Sequence, residues 1–327
     1  MTSRLKDKFD RQGFLVVRNV LNFNLDLKPI LNDIEFTMDR LVYKFVPKKK
    51  CDTVLEYDFW KKYTCLSKLN IKDFDQYFNI RPPKENLKKD SDFFASQSVW
   101  NLIRNSHILD VIEKLIGSEI NSNPVQNSRI KQPEKFLKKK TIYDGLSGRT
   151  PWHQDAGVLS LRGQKYTDLI TCWIPFTKTT KKNGCMITVP GLQKKGLFNH
   201  DADSKGQAHI RNSELLNKLK TVALEANPGD IVLLSKHTVH CSLPNISNNF
   251  RISMDLRYHK SGQPSGRDLL PNFCVRSKIK KNIKICNFKQ WLAIWEKAKQ
   301  RCLPKKYTFK YQTPTFKGKK RDLVNLI

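Results

Sequence analysis

Apolar residues spaced three and four apart mark the first third of the chain as helical. They do so across residues 27–46 (LKPILNDIEFTMDRLVYKFV) and again across residues 99–117 (VWNLIRNSHILDVIEKLIG), where Gly117 ends the pattern. Between these, residues 61–86 read as a helix followed by a loop, with Pro82-Pro83 as the stop. The opening RLKDKFDRQGFLVVRNVLN predicts a short helix, a break at Gly13 and a strand over Phe14-Leu15-Val16-Val17. After about residue 120 the pattern shortens to β-type runs between Gly, Pro and Asn: NPVQNSRI, DLITCWIPF, CMITVP, DIVLLS and FRISMDLRY. Helical spacing returns in NFKQWLAIWEKAKQRC, with Phe288, Trp291, Leu292 and Trp295 on one face. The expectation is a mainly β protein with a helical scaffold. One domain is divided into a mostly helical 1–120, an antiparallel sandwich or barrel core at 121–260, and a basic helical extension at 261–327.

Two stretches of the β region carry candidate chemistry. In Pro151-Trp-His-Gln-Asp-Ala-Gly157 an extended backbone would turn His153 and Asp155 to one face, presenting an imidazole and a carboxylate together. In the second, Pro228 to Asn245 (PGDIVLLSKHTVHCSLPN), a tight turn leads into an apolar strand with His240 expected at its far end. His237 is the alternative, on the opposite face of that strand if alternation holds, and the following CSLPN favours His240. Two histidines and one carboxylate form a facial set that binds Fe(II) and leaves positions open for a bidentate oxo acid and dioxygen. Eleven residues beyond His240, on what reads as the next strand of a hairpin, Arg251 offers a planar fork for a carboxylate. Ser253 shares its face and adds a hydroxyl.

Composition changes this picture little. The net charge of +30 invites a nucleic-acid reading, but lysine supplies 44 of the 60 basic residues and is spread over the whole chain. Arginine, the residue of bidentate phosphate recognition, supplies only 16. The charge is therefore read as a solvated surface that also favours an anionic small-molecule partner over nucleic acid. No run approaches the ~18 apolar residues of a membrane span, and the N-terminus lacks a secretory pattern, so a cytoplasmic protein without membrane insertion is expected. The eight cysteines form no CxxC pair and read as free thiols. Cys241 reads as turned away from the metal, and His200 and His209, with Asp201 and Asp203, read as a polar surface loop rather than a second metal site. His107 and His259 read as structural or solvated, and the runs KIKKNIK near 278 and KGKKR near 317 as solvated charge.

The order PWHQDAG, DLITCWIPFTKTTKKNGCMITVPGLQKKG, PGDIVLLS, HCSLPN and FRIS resembles the phytanoyl-CoA dioxygenase family of Fe(II)/2-oxoglutarate oxygenases, closely over about 124–260 and weakly at DRQGFLVVRNVL. The resemblance implies a double-stranded β-helix (jelly-roll, cupin-like) core. It implies His153, Asp155 and His240 as the iron triad and Arg251 as the anchor of the 2-oxoglutarate carboxylate. It also implies pocket roles for Ser242 and Trp173, and for Gln126 or Asn127 and Lys131 on the preceding strand. The connection KQPEKFLKKKTIYDGLSGRT is longer than the family's. The implied reaction consumes 2-oxoglutarate and O2, releases succinate and CO2, and hydroxylates a C–H bond, the retained Asp155 arguing against halogenation. Two other readings stay open. One is a non-catalytic barrel binding nucleic acid or another anionic partner through its basic surface; the other is a cupin-like metalloenzyme that uses no 2-oxoglutarate and leaves Arg251 without a purpose.

Overall fold

In the computed structural model, which describes residues 2–69, 71, 74–83, 87–137, 148–202, 208–279, 287–303 and 323, the helical and β regions form two layers that share one apolar interface. The chain begins with α1 (Thr2–Gln12), whose end at Gly13 (φ 85°) releases β1 (Phe14–Val17). Four helices follow: α2 (Lys28–Phe45), α3 (Lys48–Leu55), α4 (Phe59–Lys68) and α5 (Gln97–Ile103). The next, α6 (Ser106–Ile116), is capped by the Asn105 side chain, which accepts from the amides of His107 and Ile108; Gly117 (φ 90°) ends it. The apolar stripe of α2, Ile30, Ile34, Met38 and Leu41, is fully inside the core.

The strands are β2 (Ile120–Ser122), β3 (Asn127–Lys131), then, after the short α7 (Leu161–Tyr166), β4 (Ile170–Pro175) and β5 (Met186–Thr188). A hairpin of β6 (His200–Ala202) and β7 (Ala208–Ile210) precedes β8 (Val222–Leu224), β9 (Ile231–Ser235) and β10 (His240–Ser242). The ten-residue β11 (Arg251–Lys260) and β12 (Phe273–Arg276) follow, and α8 (Phe288–Cys302) comes last. The seven-stranded major sheet runs β1-β9-β4-β11-β2-β12, with β3 also on β11; the minor sheet is β10-β5-β8. These antiparallel sheets form a double-stranded β-helix core.

Strand alternation gives the major sheet two unlike faces. On the outer face Ile170, Cys172, Ile174, Ile231, Leu233, Ile252, Met254, Leu256 and Tyr258 join the stripe of α2 in one cluster. On the inner face the register sets Thr171 beside Arg257 and Leu234, and Trp173 beside Asp255 and Val232. Across β3, Lys131 is paired with Arg251, Arg129 with Ser253, and Asn127 with Asp255. The polar residues of the interior are thus gathered on one side of a sheet whose other side supplies the apolar burial.

Three expectations change here. Arg251 is not on a hairpin with His240, because β10 lies in the minor sheet and β11 in the major one. His240 does not end the apolar strand. That strand stops at Ser235, the chain turns through Thr238, whose hydroxyl bonds Ser235, and His240 opens the next strand in the other sheet. His237 falls in that turn. The strand β12 in the C-terminal extension was not foreseen; it pairs with β2 across a bulge. Most of KIKKNIK and all of KGKKR lie outside the described residues.

The turn before β9 ties the N-terminus to the core. Gly229 (φ +100°) brings its carbonyl to the amides of Val20 and Leu21, and the Asp230 carboxylate accepts from the Asn19 and Asn227 amides and Arg18. A Cβ at Gly229 would lie 2.8 Å from the Leu21 carbonyl oxygen in a backbone region that disfavours side chains. Gly229→Ala should therefore lower unfolding free energy by about 1–3 kcal/mol in urea titrations, and an unchanged midpoint would contradict this contact.

Candidate metal centre and anion pocket

His153 sits on an isolated bridge to His240, with reciprocal backbone bonds of 2.9 and 3.1 Å. The extended residue is Gln154 (φ −126°, ψ 138°), after which Asp155 begins a short 3-10 turn, Asp155–Val158. The HxD segment is therefore not a strand, but one extended residue between them suffices to bring both side chains to the same side. Gln154 anchors the segment. Its side-chain Nε2 donates to the carbonyls of Gly196 (2.8 Å) and His237 (2.7 Å), and its side-chain oxygen accepts from the Phe198 amide.

The nitrogen and oxygen atoms that His153, Asp155 and His240 can offer to a metal all lie within 4.8 Å of one another. His153 Nδ1 bonds the Pro151 carbonyl at 2.8 Å and His240 Nδ1 the Thr238 carbonyl at 2.9 Å. A carbonyl only accepts, so each Nδ1 carries the proton and each Nε2 presents a lone pair. Burial, with His240 alongside, pushes His153 down to about 3, and burial lowers His240 as well, so both rings are neutral near pH 7. Burial alone would raise the Asp155 carboxyl, but Arg257 and the two histidines outweigh it and hold the group well below the usual carboxylate range. Two neutral imidazoles and an ionised carboxylate are the protonation states a divalent cation needs.

His153 and His240 open into a cavity whose lining includes Arg129, Trp173, Ser242, Arg251, Asp255 and Arg257. Arg251 is buried; its Nη1 donates to Ser253 Oγ at 3.0 Å, its guanidinium lies 5.3 Å from the centre of the Trp173 ring, and its Nε has no partner among the described residues. Burial, with Arg129 nearby, pushes Arg251 down to about 9. Lys131 is also buried and reaches Ser242 Oγ (2.8 Å) and the Leu243 carbonyl; burial, then Arg251 and Arg129, holds it well below its usual value. Asn127 bonds Asp255 and Arg81 rather than lining the cavity, and Gln126 donates to Ser122.

The residues that sequence reasoning missed are Thr171, Asp255, Arg257 and Arg129. Arg257 donates to Asp155 at 2.6 Å and to Thr171 at 2.9 Å, Thr171 donates to Asp155 at 2.5 Å, and Arg129 pairs with Asp255 at 2.9 Å. One signal was available: Arg251, Ser253, Asp255 and Arg257 alternate on one face of one strand.

His200, expected on a surface loop, opens β6 and is buried. It accepts the Gln154 amide at Nε2 and donates from Nδ1 to the Phe198 carbonyl, so its role is to hold the HxD segment. Asp203 lies outside the described residues, and among those described only the triad forms a metal-competent cluster. Cys241 borders the cavity, and burial pushes its thiol up to about 12, which disfavours the nucleophilic thiolate.

The jelly-roll core thus carries a converging His-Asp-His set that could hold a metal ion. The chain belongs to the phytanoyl-CoA dioxygenase (PhyH) family, whose family model matches residues 9–253. It is 26% identical over 177 residues to a probable phytanoyl-CoA dioxygenase of Caenorhabditis elegans, covering 53% of this chain and 54% of that protein. It is also 26% identical over 265 residues to the human peroxisomal phytanoyl-CoA dioxygenase, covering 79% and 68%. Across the first curated relatives the matched segment spans 54%, 41% and 53% of their length. Among solved structures, the chain is similar to the apo non-heme monooxygenase ThoJ (TM-score 0.55, 16% identity, 92% of this chain and 99% of that one). It is similar too to the epimerase SnoN in complex with Fe3+, alpha ketoglutarate and nogalamycin RO (TM-score 0.50, 16%, 88% and 93%). These likenesses establish the fold.

Acid stability follows from the buried rings. His153 (about 3), His200 (about 4) and His259 (about 4) all have folded values below the ordinary 6.5, each depressed first by burial. The unfolded chain therefore takes up protons that the folded one refuses. Stability of the metal-free protein should be full above pH 6.5 and fall as pH drops to 4, by up to about 1.4 kcal/mol per unit for each ring. Urea unfolding across that window checks it, and a flat profile would contradict it.

Proposed function

We propose that the protein is an Fe(II)- and 2-oxoglutarate-dependent oxygenase that hydroxylates a small anionic molecule. The observation that carries this reading is a buried guanidinium, Arg251, without a carboxylate partner among the described residues, lining the same cavity as His153 and His240 of the ligand set. A buried cation left unpaired costs several kcal/mol, so its place in a polar cavity beside a metal-competent cluster fits an arriving dicarboxylate. The ligand set fits Fe(II): two imidazoles with fixed tautomers and one ionised carboxylate on one side, the other side open to the cavity.

His153, Asp155 and His240 would hold the iron, and Arg251 with Ser253 would seat the far carboxylate of 2-oxoglutarate by charge-assisted hydrogen bonds. When bound, iron with 2-oxoglutarate and O2 supplies an oxidant for C–H bonds, with succinate and CO2 as co-products. Trp173 packs under the Arg251 guanidinium and keeps it aimed into the cavity. Lys131 orients Ser242, whose oxygen also accepts the Thr150 amide at the cavity wall. The buried apolar residues Met186 and Leu234 exclude water from part of the wall. Three arginines line the cavity against one aspartate, Asp255, which supports an anionic substrate. Among the described residues no helix is long and apolar enough to cross a membrane. The described cysteines are free thiols, which fits a reducing compartment such as the cytoplasm.

Two substitutions test the reading on the iron-loaded protein. Arg251→Met should raise the 2-oxoglutarate KM at least about 30-fold by removing a buried charge partner. His153→Ala should abolish succinate release while the thermal unfolding of the metal-free protein persists. Succinate release by the wild type should rise above its uncoupled background with carboxylates, phosphonates or phosphate esters and not with neutral or cationic compounds. Unchanged KM in Arg251→Met, or full turnover in His153→Ala, would refute the proposal.

A further inference from the structure

Both oxygens of the Asp155 carboxylate are already in use within the protein. Oδ1 accepts from Arg257 Nη2 at 2.6 Å, and Oδ2 accepts from Thr171 Oγ1 at 2.5 Å. The two donors are themselves joined, since Arg257 Nε donates to Thr171 Oγ1 at 2.9 Å, which fixes the direction of the threonine proton: its hydroxyl accepts from Arg257 and must donate to Asp155. Arg257 is in turn held by its Nη1 on the Val125 carbonyl and by Asp255 at 3.5 Å. All the side chains of this ring are buried, and its parts come from three places: the HxD turn, β4 and β11. Thr171 and Arg257 face each other in the strand register, so the ring follows from the pairing of the two central strands of the major sheet.

The geometry distinguishes the two oxygens. Oδ1 lies 3.9 Å from His153 Nε2, on the side of the histidines, whereas Oδ2 is tied to β4 by the threonine. A carboxylate has roughly four lone-pair sites. Each oxygen keeps one beside its present hydrogen bond, but Oδ1 offers it next to His153 Nε2, whereas Oδ2, held toward β4 by the Thr171 hydroxyl, reaches the same point only if the carboxylate rotates out of the ring.

From this we infer that Thr171 and Arg257 are positioning residues that restrict Asp155 to binding metal through Oδ1 alone, and so reserve the remaining positions for the oxo acid and dioxygen. The inference rests on the function proposed above and extends it. A carboxylate free to bind through both oxygens would take one more position and compete with a bidentate co-substrate. Arg257 makes the restriction rigid by supplying a planar, twice-bonded support that a lysine could not reproduce.

The test separates metal binding from co-substrate binding. Calorimetric titration of Mn(II) into metal-free protein, followed by 2-oxoglutarate into the Mn(II)-loaded protein under argon, is run on wild type and on Thr171→Val. Thr171→Ala removes the same hydroxyl without a second branch and serves as an independent variant. The expected result for both is Mn(II) affinity equal to or tighter than wild type with 2-oxoglutarate affinity weakened about tenfold. Thr171→Ser should restore the wild-type values. Wild-type 2-oxoglutarate affinity in Thr171→Val and Thr171→Ala, or a loss of Mn(II) affinity by the same factor as that of 2-oxoglutarate, would overturn the inference. Failure of the wild type itself to bind Mn(II) would instead strike the proposed function.

Discussion

A carboxylate sealed from water stays ionised when a cation or hydrogen-bond donors are sealed in with it, and Arg257 supplies both to Asp155 at the heart of the protein. Arg257 is the largest of the groups that offset the burial of Asp155, which by itself favours the neutral form, a poor metal ligand. The pair depends on β11, whose alternation sends Arg251, Ser253, Asp255 and Arg257 inward while Ile252, Met254, Leu256 and Tyr258 face outward. The outward residues pack against the helical layer, and that packing keeps the charged face in place. Polar function and apolar stability are thus carried by alternate residues of one strand.

The same division explains the helical half of the chain. Covering the outer face of the major sheet takes a broad apolar layer, which α2, α5 and α6 supply. The minor sheet has a different task. It brings His240 opposite His153 through an antiparallel bridge, so the two imidazoles approach to 4.2 Å between ring centres. Gln154 and His200 fasten that bridge to the loops around it, and the histidine does so in its neutral form.

Much of this was legible in the sequence because it depends on local spacing. Helices with three-and-four spacing, the strand Phe14–Val17 after Gly13 and the one-residue gap between His153 and Asp155 each require only a few neighbouring residues to recognise. What was not legible depends on which strand lies beside which. Nothing near Arg257 says that Thr171, 86 positions away, is its partner, or that Asp155 is 102 away. The placement of His240 in a different sheet from both the strand before it and Arg251 after it is likewise a property of the folded sheets. His200 looked like a loop residue because its neighbours Asp201 and Asp203 are polar; its burial comes from the HxD segment that covers it.

The central claim is spatial, and anomalous diffraction from crystals grown anaerobically with Mn(II) and 2-oxoglutarate tests it most directly. The account predicts one strong peak bounded by His153 Nε2, His240 Nε2 and Asp155 Oδ1, with the far carboxylate of the acid on the Arg251 guanidinium. A peak bound elsewhere, or none while Arg251 remains without an anion, would contradict it.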